Sequence, residues 1–271
     1  MGVMSGLSTD DVLTLMQEVA EEVIVPRFRQ LLDHDVHEKS PGSLVTVADH
    51  EAEVALTAAL LSAYPGAVVL GEEAYAEGSS LFDRYVGAEH AFTVDPVDGT
   101  RNFVEGRTDY AVMIAEIVRG TTTRAWIWQP SHGISWVAEH GSGTYRQGER
   151  VTVPAADDAA EPTGSTSMWS LRKRGLPGLP PMQRTWMCCG VDYPRLIEGR
   201  TDFILYKRSY PWDHAPGSLL VTEAGGEVRT GDGMQYSPRR MPLGIIVARD
   251  TATLRAVQPK AQSAFNEESR R

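Results

Sequence analysis

The 271-residue chain has only two cysteines, Cys188 and Cys189, and they are neighbours. Adjacent cysteines rarely suit a structural disulfide because the bridge strains the peptide between them, so a disulfide-stapled secreted scaffold is disfavoured. No Cys/His spacing of the zinc-binding kind accompanies them. Apolar runs long enough to span a bilayer are missing, and Met1-Gly2-Val3-Met4-Ser5-Gly6 lacks the basic stretch and apolar core of a signal peptide. The expected setting is the cytoplasm, with no membrane partner. Positive charge is short as well: 26 basic against 36 acidic side chains give a net charge of −10. A chain this acidic repels nucleic-acid phosphates, so a general nucleic-acid binder or a nuclease is disfavoured unless a local cationic patch compensates. An anionic substrate would have to be drawn in by bound cations.

What the chain does have is carboxylate at the ends of elements. Residues 95–102 read Asp-Pro-Val-Asp-Gly-Thr-Arg-Asn directly after the apolar run Ala91-Phe92-Thr93-Val94. Pro96 has no N–H and a fixed φ, so it is expected to end the strand ladder while holding Asp95 and Asp98 in a tight turn. A helical turn starting at Gly99-Thr100 would aim free N–H groups at the same spot, which suits a phosphate. Ala67-Val68-Val69-Leu70 reads as a short buried strand stopping at Gly71-Glu72-Glu73. Pro211-Trp212-Asp213-His214-Ala215-Pro216 opens a helix running to Gly225-Gly226, with Asp213 in its first turn. If Glu72, Asp95, Asp98 and Asp213 converge, they repel one another unless cations neutralise them. Hard divalent ions such as Mg²⁺ accept such oxygen ligands together with substrate phosphate. Each segment alone also has a plainer reading. Asp-Pro-x-Asp-Gly is a common surface turn, Asp213 a common N-cap, and of the two adjacent glutamates Glu73 is expected to face solvent.

The rest of the pattern is mixed α/β, with 42% hydrophobic residues, enough for a sizeable interior. A first helix is expected from Ser8-Thr9-Asp10-Asp11 through Leu32 and a second after Asp49. A polar loop follows over 74–89, then strand-like runs over 110–118, 124–129 and 134–139. Residues 155–183 are dense in Gly, Pro, Ser and Thr and carry the basic run Arg172-Lys173-Arg174. They read as a solvated loop dividing two sub-domains, or as an entrance contact for an anionic substrate or a dimer partner. A helix then a strand are expected over 190–205 and a closing strand over 243–248. A single catalytic domain over 1–258 is expected to be followed by a polar, frayed tail over 259–271.

Gly71-Glu72-Glu73, Asp95-Pro96-Val97-Asp98-Gly99-Thr100 and Trp212-Asp213-His214-Ala215-Pro216-Gly217 resemble the three signature blocks of the inositol monophosphatase family, lithium-sensitive, Mg²⁺-dependent phosphatases. Leu44-Val45-Thr46-Val47-Ala48-Asp49-His50-Glu51-Ala52-Glu53 is similar to a fourth block, and Thr222-Glu223-Ala224-Gly225-Gly226 to the end of the third. The blocks keep the family order over nearly the whole chain. The resemblance implies an α/β fold, a layered α-β-α-β-α sandwich, and hydrolysis of a small-molecule phosphate monoester by water activated at two to three Mg²⁺ ions, with no covalent enzyme intermediate. It implies Glu72, Asp95 and the Val97 carbonyl at the first ion, and Asp95, Asp98 and Asp213 at the second. Glu72 would help to hold a third ion through water. Asp49 and Thr100 would orient and deprotonate the attacking water, so that Asp49, Thr100 and Glu72 carry catalysis. The Gly99 and Thr100 N–H groups would hold the phosphate. Inhibition by Li⁺ and a homodimer are implied too.

The substrate-binding set that the resemblance implies is Val97, Asp98, Gly99, Thr100, Asp192, Asp202, Tyr206 and Asp213. Counting back from Asp213, the family's Gly-Ser/Thr-Ala stretch, which meets inositol hydroxyls, falls on Met187-Cys188-Cys189, and a later Glu falls on Tyr206. Asp202 keeps its family position, Asp192 is a polar neighbour, and Ser43 stands where many members carry Asp. The pocket is therefore expected to be sulfur-rich and aromatic rather than polar. The substrate stays open between an inositol or sugar phosphate, a sugar bisphosphate, phosphoadenosine phosphate and histidinol phosphate. A regulatory binding module that contacts protein or RNA is the reading from another class, and four retained carboxylates speak against it.

Overall fold

Ser8 begins the first helix by reciprocal capping: its hydroxyl accepts the Asp11 N–H, and the Asp11 carboxylate accepts the Ser8 N–H. The computed structural model describes residues 6–40, 43–78, 80–155 and 161–270. Residues 1–5 of the N-terminal stretch, and 156–160 of the Gly- and Pro-dense stretch, lie outside the described residues. Helix α1 (Thr9–Val19) does not run to Leu32 as expected; it passes into a π turn at Ala20–Ile24 and a 3₁₀ turn at Val25–Arg27. Pro26 cannot donate to a continuing α-helix, which accounts for the stop.

A short ribbon of β1 (Val36–Ser40) and β2 (Ser43–Thr46) leads into α2 (Val47–Ala63). Then come β3 (Val68–Gly71), α3 (Glu72–Glu77), α4 (Ser80–Gly87), β4 (His90–Asp98) and α5 (Thr100–Val104). Strands β5 (Ala111–Val118), β6 (Thr121–Gln129), β7 (Ile134–Glu139), β8 (Gly143–Arg146) and β9 (Glu149–Val151) follow as a meander. The C-terminal half holds β10 (Gly164–Thr166), α6 (Trp169–Arg174), β11 (Gln183–Arg184), α7 (Cys189–Ile197) and β12 (Phe203–Tyr206). It closes with α8 (Pro211–Glu223), β13 (Glu227–Thr230), β14 (Ile245–Ala248) and α9 (Thr251–Glu268).

Side chains alternate along a strand, and here the alternation sorts the core into layers. On β5, Val112 and Ile114 join α1 and α2 residues such as Met16 and Leu56, whereas Ala111 and Met113 face Val191 of α7 and Leu220 of α8. On β12 and β14, Ile204, Ile245 and Val247 meet that same helix pair. Phe203, Leu205 and Ile246 turn the other way, toward Leu254, Val257 and Phe265 of α9. A seven-stranded sheet, β3-β4-β5-β6-β7-β8-β9, and a five-stranded one, β11-β10-β12-β14-β13, therefore lie between three helical layers. This is the α-β-α-β-α sandwich. Among the described residues no helix is long and apolar enough to cross a membrane.

Three expectations need correction. The frayed tail is helix α9 up to Glu268, anchored by buried Ala261, Ala264 and Phe265. The polar loop over 74–89 is largely α3 and α4, because Tyr75, Leu81, Phe82 and Tyr85 give it an apolar face that packs under β3. The basic run Arg172-Lys173-Arg174 belongs to α6, whose Leu171 is fully buried, with Arg174 paired to Glu267 and Lys173 over the Trp169 ring.

Candidate active site

Strand β3 ends at Gly71 because α3 begins at Glu72, and a buried carboxylate caps that start. Glu53, on α2, accepts the Glu73 N–H and the Ala74 N–H, each at 2.8 Å. A Cβ on Gly71 would lie 2.2 Å from the Glu53 carboxyl carbon, so only glycine lets the two chains meet here. Burial, against those two hydrogen bonds, raises the Glu53 pKa to about 7. No site role for Glu53 was foreseen; the signal was a Glu within the helix that follows Asp49. Glu53→Gln keeps one acceptor and sets an amide N–H₂ against the second backbone N–H. Because burial lifts the folded pKa above the ordinary 4.5, wild type should lose stability as pH rises from about 4.5 through 7, and the Glu53→Gln variant should lack that loss in urea unfolding; the same pH dependence in both proteins would contradict a buried carboxylate here.

The solvent-facing place expected for Glu73 is not what forms. Glu73 is 3% exposed, and the more accessible neighbour is Glu72. Lys39 bridges them, with Nζ 2.8 Å from Glu72 Oε1 and 2.7 Å from Glu73 Oε1. Once the backbone turns helical at Glu72, its side chain points to the strand end while Glu73 falls beneath, toward Glu53.

On β4 the ladder does not stop at Pro96. Asp95 pairs with Met113 and Asp98 with Ala111, so three steps on β4 match two on β5. One extra residue makes a bulge, which turns Asp95 and Asp98 toward the same side although an odd spacing would separate them. Gly99 follows at φ 85°, the left-handed region, and starts α5; a Cβ there would meet the Asp109 carbonyl at 3.0 Å. Its N–H faces the Asp98 carboxylate and partly offsets the rise that burial gives that group's pKa. Asp98 Oδ2 also accepts the Gly190 N–H at 2.5 Å and the Cys188 thiol at 3.1 Å.

Asp213 is the third residue of α8, whose N-cap is Tyr210, so the simple N-cap reading fails. Next to it, His214 Nε2 lies 3.0 Å from the Arg208 carbonyl and Nδ1 lies 2.9 Å from the Tyr193 hydroxyl. A carbonyl can only accept, so Nε2 carries the hydrogen and Nδ1 accepts from Tyr193. Burial lowers the His214 pKa to about 3, which keeps the ring neutral.

Ligand oxygens of Glu72, Asp95 and Asp213 lie within 4.8 Å of one another. Asp95 is 1% exposed, and its Oδ1 has no hydrogen-bond partner. Burial and the charges of Glu72, Asp98 and Asp213 push the Asp95 pKa well above the carboxylate range; burial and Glu72 do the same to Asp213. A buried, unpartnered carboxylate oxygen among like charges fits a hard cation. Cys189, Asp213 and His214 are equally close together, but both His214 nitrogens are engaged and burial holds the Cys189 thiol protonated. Glu72, Asp95 and Asp213 are thus the group that could hold a cation, and the Asp98 carboxylate is close enough to raise the pKa of Asp95 and Asp213; the Val97 carbonyl, also expected there, is not among them. That carbonyl lies 3.1 Å from Thr100 Oγ1, where it competes with Asp49 for the one hydroxyl hydrogen of Thr100.

Asp49 is the third residue of α2, and it completes a capping box with Thr46, whose N–H and hydroxyl both donate to Oδ2. The other oxygen, Oδ1, lies 3.1 Å from the Thr100 hydroxyl. Asp49 is 1% exposed, and burial, partly opposed by Thr46, raises its pKa to about 7. Asp49 and Thr100 are therefore within hydrogen-bond distance of one another.

Beside the carboxylates opens a cavity of about 380 Å³ lined by Asp98, Asp213, Met187, Cys188, Cys189, Asp192 and Tyr206. Burial pushes both thiols well above their usual range, so they line the wall without acting as nucleophiles. The Tyr206 hydroxyl donates to Asp192 Oδ2 at 3.2 Å, while Asp192 Oδ1 accepts the Trp186 N–H. Asp202 does not reach this cavity. It sits at the far end of β12, ion-paired to Arg249 at 2.6 Å and accepting from Thr163, so its role is structural. Lys207 and Arg208 line the cavity and were missed; the signal was a basic pair between a strand and the Asp213 helix in an acidic chain.

The fold and site define a layered α/β protein with a buried carboxylate centre open to a small cavity. The sequence profile of the inositol monophosphatase family matches residues 8–269, and the chain belongs to that family. It is 32% identical over 257 residues to the Nus factor SuhB of Pseudomonas aeruginosa, covering 89% of this chain and 92% of that one. It is also 32% identical over 234 residues to the histidinol-phosphatase of Chlorobaculum parvum, covering 79% and 86%. An IMPase/NADP phosphatase solved with Mg²⁺ and phosphate shares the fold, with a TM-score of 0.78 at 19% identity over 93% of this chain and 95% of that one.

Proposed function

We propose that the chain is a phosphatase that hydrolyses a small-molecule phosphate monoester with Mg²⁺. The observation that carries this reading is the unpartnered Asp95 oxygen among Glu72 and Asp213, next to the Asp49–Thr100 pair. Mg²⁺ held there would neutralise phosphate oxygens, acidify water and stabilise the leaving alkoxide. Thr100 gives its hydroxyl hydrogen to Asp49 Oδ1 and takes one from the attacking water, so the proton ends on a buried carboxyl whose pKa of about 7 suits the acceptor. The Thr100 N–H would face the phosphate, and Arg208 would supply positive charge at the cavity, with Lys207 beside it ion-paired to Glu268 at 3.4 Å. Li⁺ inhibition, a homodimer and a cytoplasmic setting belong to the same proposal. The number of Mg²⁺ ions is proposed as two or three, as in the family pattern.

For the substrate, we propose an ester with an apolar or aromatic surface beside its phosphate. The wall at Met187, Cys188, Cys189 and Tyr206 offers soft sulfur and a ring face, and the Tyr206 hydroxyl is already committed to Asp192. Substrate hydroxyls buried against such a wall lose their partners. Specificity constants with Mg²⁺ over a panel of monoesters test this. At least one aromatic, nucleotide or imidazole-bearing ester should exceed myo-inositol monophosphate about tenfold or more. Preference for myo-inositol monophosphate over the whole panel would refute the pocket reading. The relative named as a Nus factor keeps a regulatory role open as the second reading, and absence of turnover on every ester with Mg²⁺ would favour it.

A further inference from the structure

Among the described residues four other than glycine take a positive φ, and three of them, Arg29, Arg119 and Gln147, are exposed. The fourth is Met187, at φ 61°, half-buried in the wall of the cavity beside the carboxylates. The left-handed region suits glycine, and Met has no short polar side chain that could steady it there as Asn or Asp can.

Such a conformation persists where the surroundings impose it, and here both neighbours of Met187 are pinned. The Trp186 carbonyl accepts from Asn102 Nδ2 at 2.8 Å, and the Trp186 N–H donates to Asp192 Oδ1 at 2.7 Å. The Cys188 thiol donates to Asp98 Oδ2 at 3.1 Å, while its carbonyl, at the N-cap of α7, accepts the Asp192 N–H at 2.8 Å. Met187 has to join these two fixed points. Its side chain stays at the cavity wall, with Sδ 3.8 Å from the hydroxyl of Thr185, which lines the same cavity. Glycine would carry this backbone without strain and leave the wall open. Methionine fills that space with a polarizable thioether, a good packing surface and a weak hydrogen-bond acceptor.

We infer that Met187, held by its pinned neighbours in a backbone conformation suited to glycine, is a specificity-determining residue of the cavity. Its thioether closes one side to substrate bodies that carry hydroxyls there and favours bodies that present an apolar face. The inference rests on the phosphatase reading and deepens it, assigning the choice of ester to a residue outside the carboxylate centre.

The test compares full-length wild type with Met187→Gly and Met187→Ala. Both variants remove the thioether, so with Mg²⁺ the ratio of kcat/KM for phenyl phosphate to that for myo-inositol monophosphate should fall about tenfold or more in each. Turnover of methyl phosphate, too small to reach the wall, should stay at the wild-type level and reports that the centre is intact. Only glycine relieves the backbone. In chelator the thermal midpoint of Met187→Gly should therefore lie about 2–4 °C above that of Met187→Ala, the reverse of their order where φ is negative. An unchanged ratio in both variants with methyl phosphate still hydrolysed would overturn this inference alone, as would a midpoint of Met187→Ala equal to or above that of Met187→Gly. Hydrolysis of none of the three esters by wild type would overturn the phosphatase reading and this inference with it.

Discussion

Asp95→Asn should abolish turnover, by about 10³-fold or more, while making the metal-free protein more stable. Asp95 is the carboxylate on which the other acids of the centre bear: its Oδ1 is unpartnered, and Glu72, Asp98 and Asp213 all raise its pKa in addition to burial. An Asp213 oxygen lies within 4.8 Å of one of its own, a closeness that favours a proton or a cation between the two carboxylates. An amide keeps the shape, removes a ligand charge and relieves the repulsion. In chelator the thermal midpoint should therefore rise, by about 2–4 °C for each kcal/mol of repulsion relieved. With Mg²⁺ the order should invert, because wild type gains binding energy that the variant forfeits. Equal turnover in wild type and variant would show that the cluster is not the reaction centre.

The second large effect belongs to Asp49→Asn, with kcat falling about 10²–10⁴-fold and KM changing little. Both Asp49 oxygens are in use, Oδ2 by the Thr46 N–H and hydroxyl and Oδ1 by Thr100. An Asn side chain has one acceptor oxygen, so it must abandon either the helix cap or Thr100, and its nitrogen can take no proton from water. The capping loss alone costs about 1 kcal/mol and leaves the protein folded. A circular dichroism spectrum matching wild type alongside the lost kcat assigns the effect to proton transfer. Retained kcat would remove Asp49 from the reaction.

The carboxylate centre was legible because its members sit at element ends that local chemistry announces. Asp95 and Asp98 follow an apolar run, Glu72 follows a short apolar strand, and Asp213 follows a proline that starts a helix. What could not be read were outcomes set by three-dimensional pairing. Pro96 reads as a strand end, yet the partner strand admits a bulge and the ladder continues to Asp98. Glu73 reads as the exposed member of its pair, but a helix starts at Glu72 and Lys39, thirty-four positions back, covers Glu73. Asp202 keeps its place in the sequence block, while Arg249 on a neighbouring strand end draws it into an ion pair.

Composition misled where period would have helped. Residues 259–271 are mostly polar, but Ala261, Ala264 and Phe265 recur at three- and four-residue spacing, the stripe that seats α9 on the five-stranded sheet. The loop over 74–89 hid a helical face in the same way, with Tyr75, Phe82 and Tyr85 spread among charges. Lys207 and Arg208 carry no local signal beyond their charge; only the turn from β12 into α8 brings them to the cavity beside Asp213.

The claim on which the account rests is that these acids form a metal-dependent phosphatase centre. Release of inorganic phosphate from the monoester panel, measured after exhaustive chelation and again after adding Mg²⁺, tests it most directly. The account predicts no release above background in chelator and full recovery with Mg²⁺ for at least one ester. Undiminished release in excess chelator, or none from any ester at saturating Mg²⁺, would contradict it.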